Sequence, residues 1–207
     1  MSDERVFLWF DAEFNTLELD DAVFLQVACM ATNEALERLA PPETDVNLYV
    51  RIPEGTTLSP WVEEHLQPVL TRCRSAEAVS LEGVASAMDS YLDLVVGEKE
   101  LPVMRRPVIA GNSVHNDWCL ARRLLPSFVA RCHYRLMDCS VMKQEWLGHF
   151  GGIAFDKDDV AAVRKNFPGL VHAEGAMQQH DAYYDVQASA AELAYYGAKV
   201  LHPRALI

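Results

Sequence analysis

The stretch VFLWFDAE, residues 6–13, sets five apolar side chains in a row and then closes on two carboxylates. A short run that is apolar on both sides of the backbone and rich in aromatics suits a strand buried on both faces. Along a strand alternate side chains share a face, so Asp11 and Glu13 project together while Ala12 points away. Two such carboxylates are unfavourable neighbours unless a cation is shared between them. The plainer alternative is a strand leaving its core for solvent, where charged residues normally sit.

Working outward, VFLQVACMAT (23–32) reads as a second strand after the polar turn ELDD, and LYVRI (48–52) as a third, ended by Pro53 and Gly55. RPVIAGN (106–112) and YRLMDCS (134–140) read as a fourth and a fifth. WVEEHLQ and LEGVASAMDSYLDLVV (81–96) read as helices; in the second, Val84, Met88, Tyr91, Leu92 and Val95 recur at helical steps. A helix from about Asn116 puts Leu120, Leu124 and Phe128 on one side, another passes through Lys143 and Trp146, and the last runs from about Ala182 to Val200. Residues 148–179 carry several glycines and read as an irregular inserted lobe over a site. Strands that give way to alternating strand and helix indicate one α/β domain over residues 1–207, with helices on both faces of its sheet.

Thirty acidic against eighteen basic residues give a net charge of −12. That argues against a broad basic stripe gripping long nucleic acid, whose affinity rests on Lys and Arg neutralising phosphates. A short nucleic-acid substrate held by metals and a few arginines stays compatible with it. The five cysteines lack CxxC pairing, so neither a disulfide framework nor a zinc site is indicated and a reducing compartment is expected. No apolar stretch is long enough to span a bilayer, and the apolar run at Val6 leaves no room for a leader after MSDER; a cytoplasmic protein is expected.

Three further residues join the first two carboxylates: Asp117 in GNSVHNDWCLARRLL, and His180 and Asp185 in HDAYYD (180–185). Singly each has a bland reading. Asp117 and Asp185 suit the first turn of a helix, where the dipole favours anions, and His180 suits a solvated loop. Together, four acids and a histidine in this order form the set that two divalent cations and a phosphodiester require. Asp11 and Glu13 would hold one cation with Asp185, while Asp11 and Asp117 would position a second roughly 3.5–4 Å away. His180 would take a proton from the attacking water, its ordinary pKa lying near working pH.

These residues in this order resemble the DEDDh 3′–5′ exonucleases, and within them the oligoribonucleases that degrade very short RNAs. GNSVHNDWCLARRLLP, HYRLMDCS (133–140) and HDAYYDVQASAAELAYY carry the resemblance, which runs across nearly the whole chain. It implies a ribonuclease H-like fold with a mixed five-stranded sheet flanked by helices, two Mg²⁺ or Mn²⁺ ions per site, a homodimer, and hydrolysis of short oligoribonucleotides and dinucleotides to 5′-nucleoside monophosphates. It also implies roles for residues of the pocket. Leu17 would wedge against a base, Trp61 would lie along a base or ribose, and Tyr134 would reach the neighbouring subunit's site. Arg135 and Ser140 would contact the substrate's 5′ phosphate, an Arg fork suiting a terminal phosphate dianion.

The chain departs from the family pattern at three places. Phe14-Asn15-Thr16-Leu17 stands where Met-Thr-Gly-Leu is usual, Gln26 replaces a glutamate in the second strand, and the stretch from Gly148 to Gln179 is longer. The alternatives are a DEDDh exonuclease acting on DNA ends, structured RNA tails or capped dinucleotides, and a nuclease-fold binding protein with little catalysis.

Overall fold

The computed structural model describes residues 5–97, 100–171 and 180–201. Five strands form one sheet: β1 (Phe7–Phe14), β2 (Phe24–Thr32), β3 (Val46–Tyr49), β4 (Val108–Gly111) and β5 (Leu136–Asp138). Their order is β3-β2-β1-β4-β5, with β1, β2 and β3 antiparallel and β1, β4 and β5 parallel. The sheet is therefore mixed, as the ribonuclease H-like expectation requires, and β1 lies at its centre.

Helices fill the crossovers. Between β3 and β4 come α1 (Pro60–His65), α2 (Gln67–Cys73) and α3 (Leu81–Val96), and between β4 and β5 come α4 (His115–Leu124) and α5 (Pro126–Ala130). After β5 follow α6 (Cys139–Gly148), α7 (Val160–Asn166) and α8 (Ala182–Tyr196), and the chain continues as a π-helical stretch, Gly197–Leu201. Among the described residues no helix is long and apolar enough to cross a membrane.

The pleat of β1 sorts its side chains. Leu8, Phe10 and Ala12 enter a core shared with Val84, Met88 and Leu92 of α3, Leu120 of α4 and Phe128 of α5. Phe7 and Trp9 enter the core on the other face, with Val163 of α7 and Ala182, Tyr183, Val186, Ala188, Ala190 and Ala191 of α8. The alanines let α8 lie close across β1 and β2. Val62 of α1, Val69 and Leu70 of α2, and Leu66 between them build a third cluster on Leu25.

Several boundaries differ from the sequence reading. The third strand lies earlier, at Val46–Tyr49, where its paired register with β2 runs from Cys29↔Val46 to Gln26↔Tyr49; Val50 still donates its N–H to the Leu25 carbonyl at 2.8 Å and forms an isolated bridge with Val79. The fifth strand keeps three residues, since the side chain of Asp138 accepts the Ser140 N–H and opens α6 there. The largest correction concerns residues 148–179, which contain α7 rather than irregular chain alone. Asp159 caps it, accepting from the Ala161 and Ala162 N–H groups at 3.0 and 3.1 Å. Residues 172–179 of that segment fall outside those described.

Candidate active site

Asp11 and Glu13 follow Phe7 and Trp9 by the two-residue repeat, so they emerge on the α8 face of β1. There Asp185, in the first turn of α8, meets them. One carboxylate oxygen from each of Asp11, Glu13 and Asp185 lies within 4.8 Å of the others.

Asp117 arrives from the opposite side of the sheet. The parallel pairing of β1 with β4 stops at Trp9 and Ala110, and β4 turns away into α4. Beyond that point the Ala12 N–H has no strand to bond on this side, and it donates to Asp117 Oδ1 at 3.0 Å. Gly111 makes the turn possible, because a Cβ there would stand 2.9 Å from the Phe10 carbonyl oxygen and 3.2 Å from Val114. Ser113, with φ 51°, donates its N–H to Asp138 Oδ1 at 3.0 Å, which ties the turn to the end of β5.

His180 precedes α8 in a left-handed conformation, φ 69°, rare for a residue with a Cβ. Its ring stands edge-on to Trp61 with centroids 4.9 Å apart, and Trp61 stacks on His65 at 4.8 Å. Asp181 caps α8, accepting from the Tyr183 and Tyr184 N–H groups at 2.9 and 3.1 Å.

The five residues line one cavity of about 650 Å³. Leu17, 80% exposed, and Trp61, 46% exposed, stand at the same cavity beside Thr16, Asn112 and Asn116. The other three residues singled out by resemblance are not among its described lining. Tyr134 is exposed and stacks on His133, Arg135 lies against the Tyr134 ring at 5.4 Å, and the Ser140 hydroxyl donates to Asp138 Oδ1 at 2.6 Å. Ser140 thereby acts in the cap of α6.

Four acids in one partly buried cavity shift one another. Burial, then the charges of Asp117, Asp185 and Glu13, hold the Asp11 carboxyl well above the usual carboxylate range. Burial and the charge of Asp185 push Glu13 up to about 8. Asp117 rises to about 7, mainly through burial, although its backbone hydrogen bonds oppose the shift. Burial also raises Asp185, against the pull of Lys157 and His180. A cluster of hard oxygen donors whose repulsion a cation would relieve fits a hard divalent cation.

Two features of the site escaped the sequence reading. Asn15, 3% exposed, accepts the Val23 N–H at 2.6 Å and donates to the Thr57 carbonyl at 2.8 Å, so it holds together the β1–β2 connection and the lead into α1. Its place in an otherwise polar turn gave no sign of this. The second is Lys157, which reaches the cavity from the long segment before α7. Its Nζ lies 3.8 Å from Asp185 Oδ1.

No protein-family model matches the chain. It is 29% identical over 184 residues to a probable oligoribonuclease of Schizosaccharomyces pombe, covering 86% of this chain and 68% of that protein. It is 28% identical over 196 residues to a probable oligoribonuclease of Drosophila melanogaster, covering 93% and 81%, and 25% identical over 195 residues to an oligoribonuclease of Francisella tularensis, covering 94% and 95%. Among solved structures it resembles E. coli exonuclease I in complex with a dA16 oligonucleotide, with a TM-score of 0.65 at 16% identity over 97% of this chain. The chain spans 42% of that exonuclease, and the likeness establishes a shared fold.

Proposed function

We propose that this protein is a 3′-to-5′ exoribonuclease that hydrolyses short oligoribonucleotides and dinucleotides to 5′-nucleoside monophosphates. The observation that carries the reading is the convergence of Asp11, Glu13 and Asp185 within 4.8 Å, from a strand and a helix far apart in the chain. The similarity to proteins named oligoribonuclease supports the substrate class.

Asp11, Glu13 and Asp185 would hold a divalent cation, and Asp11 with Asp117 a second. When bound, such ions polarise the phosphate and lower the pKa of water. His180 would accept the proton of the water that attacks phosphorus; the P–O3′ bond breaks, and the departing 3′ oxygen takes a proton from solvent water to become a hydroxyl. Asp117 keeps the end of β1 in place through the Ala12 N–H, which steadies Asp11 and Glu13 on either side. Trp61 and Leu17 offer apolar surface to the terminal base, and exposed aromatic faces bind bases without regard to sequence. A cavity of about 650 Å³ suits a few nucleotides rather than a long strand. In a homodimer, the exposed Tyr134 is available to extend a second copy's site.

The test is a chain-length profile on 5′-labelled RNA and matched DNA oligomers of two to seven residues. Preference for the shortest RNAs, with complete loss in EDTA, is expected. Equal rates on long RNA, a preference for DNA, or activity indifferent to EDTA would each overturn the reading.

A further inference from the structure

The described cavity lining holds four carboxylates and two basic side chains, His180 and Lys157. Lys157 meets four residues of α8. Its backbone carbonyl accepts the Tyr184 hydroxyl at 2.6 Å, and its ammonium donates to Ser189 Oγ at 3.3 Å. The same ammonium stands 3.8 Å from Asp185 Oδ1 and 3.8 Å from Glu192 Oε2. Asp185, Ser189 and Glu192 lie four and three residues apart, so one face of α8 presents all three.

Glu192 explains why the lysine stays. It is fully buried, and its Oε2 also accepts from the Asn112 side-chain amide. A buried carboxylate needs a partner charge, and losing one leaves the other costly. Lys157 therefore remains tied to Glu192 whatever happens at Asp185. Its contact with Asp185 is different, since the same carboxylate belongs to the trio within 4.8 Å. An ammonium and a divalent cation would compete there for one pair of oxygens, and the positive charges repel each other.

From this we infer that Lys157 is a positioning residue that sets cation affinity: its tethered ammonium competes with the divalent cation shared by Asp11, Glu13 and Asp185. The inference rests on the cation reading proposed above. It assigns a purpose to the segment between α6 and α7, which delivers a fixed monovalent charge to the edge of the site. Weaker retention of the cation would follow, and with it a greater dependence on cation supply.

The test is a calorimetric titration of the full-length protein with Mn²⁺, without substrate. Lys157→Gln, which keeps a donor for Ser189 and Glu192, should bind Mn²⁺ about tenfold more tightly than the wild type, with a gain that shrinks in high salt. Lys157→Arg, which keeps the charge, should restore wild-type affinity. If Lys157→Gln does not fold, the double variant Lys157→Met with Glu192→Gln removes the ammonium together with its buried carboxylate partner, and a gain of about threefold is expected. Unchanged or weaker Mn²⁺ binding in the neutral variants overturns the inference while leaving the nuclease reading intact. A wild-type protein that takes up no Mn²⁺ overturns both.

Discussion

Asp11 is the residue on which the cavity's charges converge, since Asp117, Asp185 and Glu13 all raise its carboxyl. Replacing it by asparagine removes a cation ligand and one repelling charge together. Asp11→Asn and Asp185→Asn should each lower hydrolysis of an RNA dinucleotide by more than about a hundredfold, the upper range for losing a supporting ligand partner. Asp11→Asn should also raise the melting temperature of the protein in EDTA, because a destabilising charge has gone. Loss of activity accompanied by a lower melting temperature would instead mean that the side chain props up the fold. His180→Ala should cost at least about a hundredfold in kcat while leaving Mn²⁺ binding unchanged, as removal of a proton acceptor does.

The start of α8 is positioned by β2 through Gln26. This side chain is fully buried, its Oε1 accepts the Ala182 N–H at 3.2 Å, and its Nε2 donates to Asn47 Oδ1 at 3.0 Å and Asp181 Oδ1 at 3.4 Å. An amide accepts and donates at once; a carboxylate at this point would face the Asp181 carboxylate. Gln26, where the resemblance led one to expect a glutamate, therefore clamps the helix that carries Asp185. Gln26→Glu should destabilise the protein by about 1–3 kcal/mol at pH 8, the cost of stranding buried polar groups. The loss should shrink near pH 5, where the new carboxyl protonates, and urea unfolding at the two pH values measures it. α7 is held to α8 by apolar packing of Val163, and Phe167 beyond it lies against Arg38 at 5.5 Å.

The acid cluster makes the whole molecule's stability depend on pH in an unusual direction. Glu13 at about 8 and Asp117 at about 7 lie above their unfolded values, so at intermediate pH the folded chain holds more protons than the unfolded one. Stability is then fully present below about pH 4 for these groups, falls as pH rises, and levels off above about pH 8. In EDTA the melting temperature should drop by on the order of 5 °C between pH 5 and pH 8 from this source. Mn²⁺ should raise it more at pH 8 than at pH 5, because it binds the ionised carboxylates of the folded state alone. Thermal scans across both conditions check this; a melting temperature in EDTA that climbs over that interval would count against it.

Local chemistry announced much of this protein. Apolar or alternating runs marked the five strands, though not all their bounds, the period of Val84, Met88 and Leu92 marked α3, and alternation along β1 put Asp11 and Glu13 on one face. Helix α7 was legible too, in Asp159 followed by apolar residues at helical steps, but the neighbouring glycines masked it. Other features come from contacts between distant segments, for which no spacing rule exists. The Ala12–Asp117 bond joins residues 105 apart, the Gln26 clamp reaches 155 positions along the chain to Asp181, and Lys157 meets Asp185 only because Tyr184 and Glu192 hold it there. Periodicity reports which way a side chain points from its own element; which partner it meets depends on how the elements pack, and burial then determines what charge it can carry.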